Sequence, residues 1–443
     1  MKLFDTLTKI SITINRGNNN SLIWVYLSGI LSNIFSPVSG GVAFTGFVRK
    51  LGASDSIYGF LTALPAIAAI FMFIGAWALR CSGSRRKVFL RFFFPSRFLW
   101  VVVAFLAFEV STLGASLTLI MLCALVFFAS CLGSAGQVCY LSWVTDLIPT
   151  EIRGRFFASR VRSATIAGSI TALAVGYYLD RHSGFSNFGL VFGVASLFGI
   201  ADIACYLKVN EPVFREPAGI IKGISGILVP FGDQDFRQLL VFWSFTSFAF
   251  GIVAPFCPVY ALEELRLKYS YVYFLLQIIP SVSSIVLLGL VGRWIDNFGS
   301  KRVINWLMKA SISMPIFWVL SSRSNPFPVV AANLLGGAVG AGMDLAQMNL
   351  LMKTVPSDSH SSYFATYGVV VALANAVAFV VGGVIAEAVQ PLIRGIIISS
   401  NGAPLTQYHV LFILSTLLRV ISLTVFVPRL WEGDRATVSW SIG

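Results

Sequence analysis

Charge, histidine and paired cysteine motifs are scarce in this chain of 443 residues, and their scarcity excludes several classes of protein. Charged residues make up 12% of the sequence, against about 25% in soluble proteins, so too few are available to cover a large soluble surface. The three histidines stand apart from one another, and none of the six cysteines has C-x-x-C spacing. A metal centre or a redox motif is therefore not expected, and buried thiols in a membrane are the preferred interpretation.

Catalytic and nucleotide-binding motifs are also missing. The sequence contains no G-x-S-x-G elbow, no Walker loop and no zinc-protease spacing, each of which would place reactive groups at a defined turn or helix. No segment is long enough to form a separate ATP-binding domain. We therefore expect a protein that is not an enzyme, holds no cofactor and draws no energy from ATP.

Long apolar runs dominate the chain instead. An apolar helix of about 20 residues spans the hydrocarbon core of a bilayer, which is roughly 30 Å thick. Twelve runs of this kind predict an all-α integral membrane protein, and the lipid bilayer is its first expected partner. The predicted spans are 22–44, 57–79, 88–109, 117–145, 163–180, 188–208, 238–262, 270–292, 303–321, 328–352, 363–388 and 408–428.

The basic residues follow the topology of these spans. The net charge of +13 could indicate nucleic acid binding, but most of the Lys and Arg residues fall on one side of the membrane once the spans are numbered. That asymmetry is the positive-inside pattern, so it predicts cytoplasmic termini and no nucleic acid partner. Residues 1–20 lack the features of a cleaved signal peptide and are expected to form a cytoplasmic segment.

The two halves of the sequence align with each other, which indicates an internal duplication. A shift of 207 residues aligns Gly133 with Gly340, Pro149 with Pro356, and Asp180 with Glu387. Two homologous six-helix bundles are expected, and parallel repeats of this kind are a transporter architecture with the substrate site between the repeats. The predicted domains are the first bundle at 21–209, a cytoplasmic linker at 210–236, the second bundle at 237–429 and a cytoplasmic tail at 430–443.

One loop carries a family resemblance. The segment Gly292-Arg-Trp-Ile-Asp296-Asn-Phe-Gly299-Ser-Lys301-Arg302 resembles the G-x-x-x-D-R-x-G-R-R loop of the major facilitator superfamily. The segment from Trp143 to Phe157 also resembles the loop between spans 4 and 5 of many bacterial members. The resemblance covers about 20–430 and implies a transporter of two pseudo-symmetric six-helix bundles, with spans 1, 4, 7 and 10 lining a central cavity.

The loop after the second span departs from the family pattern, because Arg80 stands where the motif has its acid. In the family that this loop resembles, the acid acts as a latch. It lies against the N-terminus of a helix in the opposite half, where exposed N–H groups favour an anion. The latch is therefore expected to rest on Asp296, facing the start of span 5, although a solvated loop charge is the alternative. The residues expected at this cytoplasmic gate are Gly83, Arg85, Arg86, Asp146, Arg153, Arg155, Gly292, Asp296, Gly299, Lys301 and Arg302.

Polar residues within the apolar spans are candidates for the solute site, because ionisable groups at membrane depth are costly. Span 10 carries a polar stripe at helical spacing, and its counterpart on span 4 places a polar residue at the same depth. Close helix packing is the alternative for these stripes. The expected substrate or coupling residues are Asn33, Gln137, Tyr140, Asp344, Gln347 and Asn375.

Three further charged residues, Arg97, Asp202 and Arg419, fall within spans that are peripheral in the family. We expect them to be structural partners within their own bundles, and Arg419 could reach Asp344 if their helices adjoin. The single acid candidate in the predicted, largely uncharged cavity favours a neutral or cationic solute over a polyanion, since phosphate-rich substrates usually need inward-facing Arg or Lys in the lining spans.

These observations predict a monomeric secondary transporter in the bacterial inner membrane. It would move a small solute by alternating access, with protons as a candidate coupling ion. Two other classes stay open at this stage: a transport-inactive relative that acts as a membrane receptor or signalling partner, and a membrane-embedded enzyme. Solute flux would distinguish them, since a receptor binds without moving its ligand and an enzyme alters it.

Overall fold

The computed structural model describes residues 19–182, 184–212, 229–355, 360–393 and 405–431. In this part of the chain, the regular structure consists of α-helices with short 3-10 and π-helical turns between them. The helices are α1 (Asn19–Ser39), α2 (Val42–Lys50), α3 (Asp55–Ile67), α4 (Met72–Ser82), α5 (Arg85–Phe108), α6 (Val110–Leu113), α7 (Ala115–Leu147), α8 (Thr150–Arg181), α9 (Phe185–Cys205), α10 (Gln234–Gly251), α11 (Phe256–Glu263), α12 (Tyr269–Tyr273), α13 (Ile279–Phe298), α14 (Ser300–Val319), α15 (Phe327–Thr354), α16 (His360–Ile393) and α17 (Gln407–Ile421).

Ten helical segments of the described residues are long and apolar enough to cross a membrane. They coincide with ten of the twelve predicted spans, which confirms a helical, multi-pass membrane protein. The two remaining predicted spans, 163–180 and 303–321, fall on α8 and α14. The ten segments are Asn20–Lys50, Asp55–Ser82, Arg85–Phe108, Ala115–Leu147, Phe185–Lys208, Gln234–Glu263, Tyr269–Phe298, Phe327–Thr354, Tyr363–Ile393 and Gln407–Arg429.

The chain divides into two compact units. The first comprises Met1–Phe44, Ile70–Val175 and His182–Arg215, and the second comprises Thr45–Ala69, Gly176–Arg181 and Glu216–Gly443. The second unit therefore includes short pieces of the first sequence half. Most of the predicted linker, the N-terminal segment up to residue 18 and the tail beyond residue 431 lie outside the described residues.

Helix packing repeats between the two sequence halves. In the first, α5 packs against α7 and α9; in the second, the corresponding helix α14 packs against α15 and α17. The second and fourth spans of each half also cross closely at a glycine. Gly75 lies against the Ala135 carbonyl and Gly337 against the Pro280 carbonyl, and a Cβ at either position would clash with that backbone.

Each unit has its own apolar core. In the first unit, Phe89 packs edge-on against Trp143 at a ring distance of 5.9 Å and lies 4.6 Å from the ring of Tyr206. In the second unit, Phe236 contacts Tyr363 at 4.7 Å and Phe242 contacts Trp243 at 4.9 Å. These buried aromatic contacts join α5, α7 and the turn that follows α9 in the first unit, and α10 and α16 in the second.

Candidate functional site

A polar cavity of about 250 Å³ lies inside the first unit. Its walls come from α1, α5, α7, α8 and α9, so side chains that are far apart in the sequence share one space. The lining combines charged and amide side chains with aromatic rings: Arg97 Cζ lies 5.8 Å from the centre of the Phe93 ring and Arg160 Cζ lies 5.9 Å from that of the Tyr140 ring. The lining residues are Ser28, Gly29, Ser32, Asn33, Phe89, Phe93, Arg97, Gln137, Tyr140, Arg160, Asp202, Ile203 and Tyr206.

Arg97 and Asp202 form a buried ion pair in this cavity. Arg97 Nη2 lies 3.7 Å from Asp202 Oδ2, and Asp202 is only 4% exposed. The Arg97 guanidinium also lies 4.3 Å from the centre of the Phe35 ring, while its Nε atom is buried without a hydrogen-bond partner among the described residues. The structure thus pairs them within one bundle, as expected, and also places both in the cavity wall, which was not expected.

Arg160 is a further charged residue of the cavity that the sequence did not predict there. Its Nε donates to the Val25 carbonyl at 3.0 Å, which fixes the guanidinium across α1. Gly29 makes that crossing possible, because a Cβ there would lie 2.6 Å from Arg160 Nε. In the sequence, Arg160 follows a basic loop, so it was included among the cytoplasmic charges that set the membrane topology. No local sequence pattern indicates its contact with α1.

The predicted solute residues divide between the two units. Asn33, Gln137 and Tyr140 line the cavity of the first unit, with Asn33 Nδ2 donating to the Gly29 carbonyl at 3.1 Å. Asp344, Gln347 and Asn375 belong to the second unit. Asp344 is exposed on α15. The Asn375 amide oxygen lies close to Gly251, since a Cβ on that glycine would be 3.1 Å from it.

Arg419 has other partners than Asp344. Its Nη1 donates to the Ser311 carbonyl at 2.6 Å, and its guanidinium lies 3.8 Å from the centre of the Phe250 ring. Helix α14 packs against both α15 and α17, so it stands between the helices of the two residues. No ion pair joins them in the part of the chain that the structure describes.

In the first unit, the residues predicted for the cytoplasmic gate bind their own unit. The Arg85 guanidinium contacts the Asp146 carboxylate, and Arg86 donates to the Leu207 carbonyl. Glu211 accepts hydrogen bonds from the backbone N–H of Arg85 and from the Ser84 hydroxyl, so a carboxylate caps the N-terminus of α5.

The remaining gate residues of the first unit shape the ends of helices. Gly83 terminates α4 with φ of 60°, a conformation that favours glycine. Arg153 donates to the carbonyls of Thr145 at 2.9 Å and Ile148 at 3.2 Å, which satisfies carbonyls at the end of α7. Arg155 is exposed.

The second unit repeats part of this arrangement. Lys301 Nζ donates to the Pro428 carbonyl at 2.9 Å, as Arg86 donates to Leu207 in the first unit, and Gly299 has φ of 83° between α13 and α14. Gly292 lies within α13, and Asp296 and Arg302 are exposed. The role of Asp296 as a latch stays a prediction.

A second polar cluster, which the sequence also did not predict, surrounds Arg49 in the second unit. Arg49 forms a two-point pair with Glu263, with Nε–Oε1 at 2.6 Å and Nη2–Oε2 at 2.8 Å. Its Nη1 lies 2.8 Å from Asp55 Oδ1, and Asp55, which is 5% exposed, also accepts from the Tyr408 hydroxyl at 3.0 Å and from Gln407 at 3.3 Å. We call these five residues the Arg49 cluster.

Two carboxylates next to this cluster cap helix N-termini. Asp180 accepts from the backbone N–H groups of Tyr269 at 2.6 Å and Ser270 at 3.2 Å. Glu387 accepts from the backbone N–H of Ser56 at 3.1 Å. These contacts and the Arg49 cluster join α2, α3 and the end of α8 to α11, α12, α16 and α17, at the helix ends that the charge pattern predicts to be outside.

Comparisons with known proteins agree with this architecture. A family profile described as Major Facilitator Superfamily matches residues 20–288. The nucleoside transporter NupG is similar in structure, with a TM-score of 0.68 at 12% identity over 93% of this chain and 98% of that one. A bacterial homologue of the iron transporter ferroportin, in an inward-facing state, has a TM-score of 0.67 at 11% identity, covering 92% and 97%.

A D-xylose–proton symporter is similar over 94% of this chain and 99% of that one, with a TM-score of 0.61 at 15% identity. Sequence identities this low support a shared fold and nothing more specific. A sequence search of curated proteins found no match.

Proposed function

Because the chain belongs to the Major Facilitator Superfamily, we propose that it is a secondary transporter that moves a small solute across the bacterial plasma membrane by alternating access. In this proposal twelve helices span the bilayer, α8 and α14 included, and both termini are cytoplasmic. The polar cavity of the first unit is the main observation that supports this proposal. Charged groups at membrane depth are costly unless they face partners, water or a ligand, and this cavity collects three of them around a space large enough for a small solute.

The Arg49 cluster supports a gating role on the predicted outer side. Alternating access requires contacts that close one side and can be broken when the other side closes. The cluster and the two caps formed by Asp180 and Glu387 join first-half helices to second-half helices through polar contacts, which water can replace. We propose that they form the outer gate and that Asp296 is the latch of the cytoplasmic gate.

Asp344 is the proposed coupling group, with Gln347 on the same face of α15 and Asn375 on α16. An exposed carboxylate that lacks a cationic partner among the described residues can gain and lose a proton as the transporter cycles. Among the similar structures, one is a proton symporter by its description, so proton coupling is the form of energy use that we propose to test first.

Solute flux into proteoliposomes tests the proposal. Purified protein is reconstituted, a pH gradient is imposed, and the uptake of uridine, D-xylose, ferrous iron and benzoate is measured against protein-free liposomes. We expect saturable uptake of at least one solute class, and a loss of that uptake in Gln137→Leu, which removes an amide from the cavity wall. Liposomes that bind a solute without accumulating it would contradict transport and favour a receptor.

A further inference from the structure

The charges in the cavity of the first unit do not cancel. Arg97 and Asp202 form one ion pair, and Arg160 adds a second positive charge. No further Asp, Glu, Lys or Arg contributes to the lining. The cavity therefore carries one excess positive charge at membrane depth, where an uncompensated charge is costly.

The terminal nitrogens of Arg160 are available to a ligand. Its Nε is occupied by the Val25 carbonyl, but Nη1 and Nη2 have no hydrogen-bond partner in the part of the chain that the structure describes, and neither is sealed from the cavity. A guanidinium with two free terminal NH2 groups can bind a carboxylate or phosphate in a two-point geometry through Nη1 and Nη2. The arginine is also held in place, since Gly29 leaves room for it and its Cζ lies 5.9 Å from the Tyr140 ring centre.

The one acid in the cavity does not neutralise both arginines. Asp202 faces Arg97, the hydroxyls of Ser28 and Ser32, and Arg160, so its single negative charge is shared between two guanidinium groups. Arg97 in turn is only loosely paired, at 3.7 Å, and keeps a buried Nε without a partner. The cavity thus holds one carboxylate for two guanidinium groups.

The size and walls of the cavity limit the anion. A volume of about 250 Å³ is near the lower end of the roughly 300–1,000 Å³ that small-molecule sites usually have, so the cavity suits a small solute. Phe89, Phe93 and Tyr206 are only 1%, 9% and 1% exposed, so the aromatic ring that the lining offers beside Arg160 is that of the half-buried Tyr140. We propose, on the basis of the proposed transport function, that the solute is a small organic monoanion whose anionic group is bound by Arg160 and whose apolar body lies against the Tyr140 ring.

This inference replaces the expectation of a neutral or cationic solute, which came from counting Asp344 as the only charge of the cavity. Arginine side chains that face the lining were the stated condition for an anion site. The structure meets that condition in the first unit with Arg97 and Arg160.

A charge-matched set of probes tests the proposal. Benzoate, benzamide and benzylamine have similar shapes and differ in charge, as do butyrate, butyramide and butylamine. Thermal melting of the purified protein is measured with each probe, because a ligand that binds the folded state raises the melting temperature. We expect the two acids to stabilise the protein and the amides and amines to have at most a tenth of their affinity.

Three variants connect the effect to Arg160. Arg160→Gln should weaken binding of the acids at least tenfold, because a charge-assisted pair is lost, and Arg160→Lys should weaken it less. Arg162→Gln, on the exposed side of the same helix, is the matched control and should leave binding unchanged. If Arg160→Gln does not fold, Gly29→Ala is a second variant, since its Cβ displaces the guanidinium while the charge remains.

The outcomes separate this inference from the transport proposal. Acids that bind no better than amides, acids that bind Arg160→Gln as tightly as the unaltered protein, or a panel in which no acid binds would each overturn the anion site. If uridine or D-xylose still moves into proteoliposomes in any of these cases, transport stands and only the solute class is wrong. If no solute moves at all, the proposed function fails as well.

Discussion

Asp180 and Glu387, which the internal repeat aligns 207 residues apart, make the same kind of contact in the second unit. Asp180 accepts from the backbone at the start of α12, and Glu387 accepts from the backbone at the start of α3. In each case a carboxylate at the end of one helix caps the N-terminus of a helix from the other sequence half. The two acids that the predicted duplication aligns thus make a pair of equivalent electrostatic contacts, and both lie beside the Arg49 cluster.

We expect Asp180→Asn and Glu387→Gln each to open the outer gate in part, because a charge at a helix N-terminus is lost. Such a charge contributes about 0.3–1 kcal/mol when exposed and up to about 2 when partly buried, so the ratio of states should shift by a few-fold to about thirtyfold. The measurement is the distance distribution between spin labels at Leu113 and Phe327, which are both exposed, in a cysteine-free background.

Glu109→Gln is the matched control for this pair. Glu109 is exposed near the end of α5, and its carboxylate accepts from the Thr112 hydroxyl of the same turn. Its loss should leave the distances unchanged. If both variants give the distribution of the control, the caps stabilise their helices and do not act as a gate.

Asp296→Asn should shift the population the other way, toward a state open to the cytoplasm, as measured by the distance distribution between spin labels on the cytoplasmic side.

The Arg49–Asp55 pair should be more important for stability than the Arg49–Glu263 pair. Asp55 is 5% exposed, whereas the side chain of Glu263 is 36% exposed. Removing one partner of a buried pair costs about 3–5 kcal/mol, while exposed pairs contribute about 0–1 kcal/mol. Arg49→Gln should therefore lower the melting temperature far more than Glu263→Gln.

The double variant Arg49→Gln with Asp55→Asn checks the cause. It removes the uncompensated charge along with its partner, so part of the stability lost in Arg49→Gln should return. If Asp55→Asn adds its own full cost instead, the buried charge does not account for the effect of Arg49.

Ten of the twelve predicted spans, and the place of three polar residues in the cavity wall, could be predicted from the sequence for physical reasons. A bilayer imposes its thickness on every apolar run, so ten predicted spans coincide with helical segments. Polar groups in those runs, such as Asn33 and Gln137, stand out because burial in lipid is costly. The Arg49 cluster and Arg160 could not be found, because their partners are brought close only by helix packing: Arg49 and Glu263 are 214 residues apart.

Asp344→Asn tests the proposed coupling group. The variant keeps the shape of the side chain but removes its charge and its ability to carry a proton. Uptake driven by a pH gradient should fall more than tenfold while counterflow of the same solute continues. Gln347→Leu, one turn further along α15, should affect solute affinity without removing the pH dependence. Unchanged uptake and unchanged pH dependence in Asp344→Asn would exclude this role.

The pH dependence of stability should include a contribution from Glu264, at the end of α11. Burial, together with the neighbouring Glu263, raises the pKa of its carboxyl. A raised pKa in the folded state means that ionisation is unfavourable there, so stability is lost as the pH rises through that value. Glu264→Gln should therefore stabilise the protein at pH 7, and the gain should vanish below about pH 4, near the pKa of an unfolded glutamate.

Glu151 provides a comparison of opposite sign. Hydrogen bonds from its own backbone and from Thr150 lower the pKa of its carboxyl, so the ionised form favours the folded state and the benefit is lost as the pH falls through that lowered value. Melting temperatures between pH 3 and 8 should show this: Glu264→Gln should gain stability relative to the unaltered protein as the pH rises above about 4, whereas Glu151→Gln should be less stable at neutral pH and lose that deficit as the pH falls below about 4. Parallel curves would contradict the assignment for Glu264.

The most direct test of alternating access uses the outer gate itself. Cysteines replace Arg49 and Glu263 in a cysteine-free background, and a short bifunctional thiol reagent links them in proteoliposomes. Because the gate must open in every cycle, the linked protein should lose solute flux and still bind the solute by thermal shift, and cleavage of the linker should restore flux. Undiminished flux through the linked protein would contradict the account.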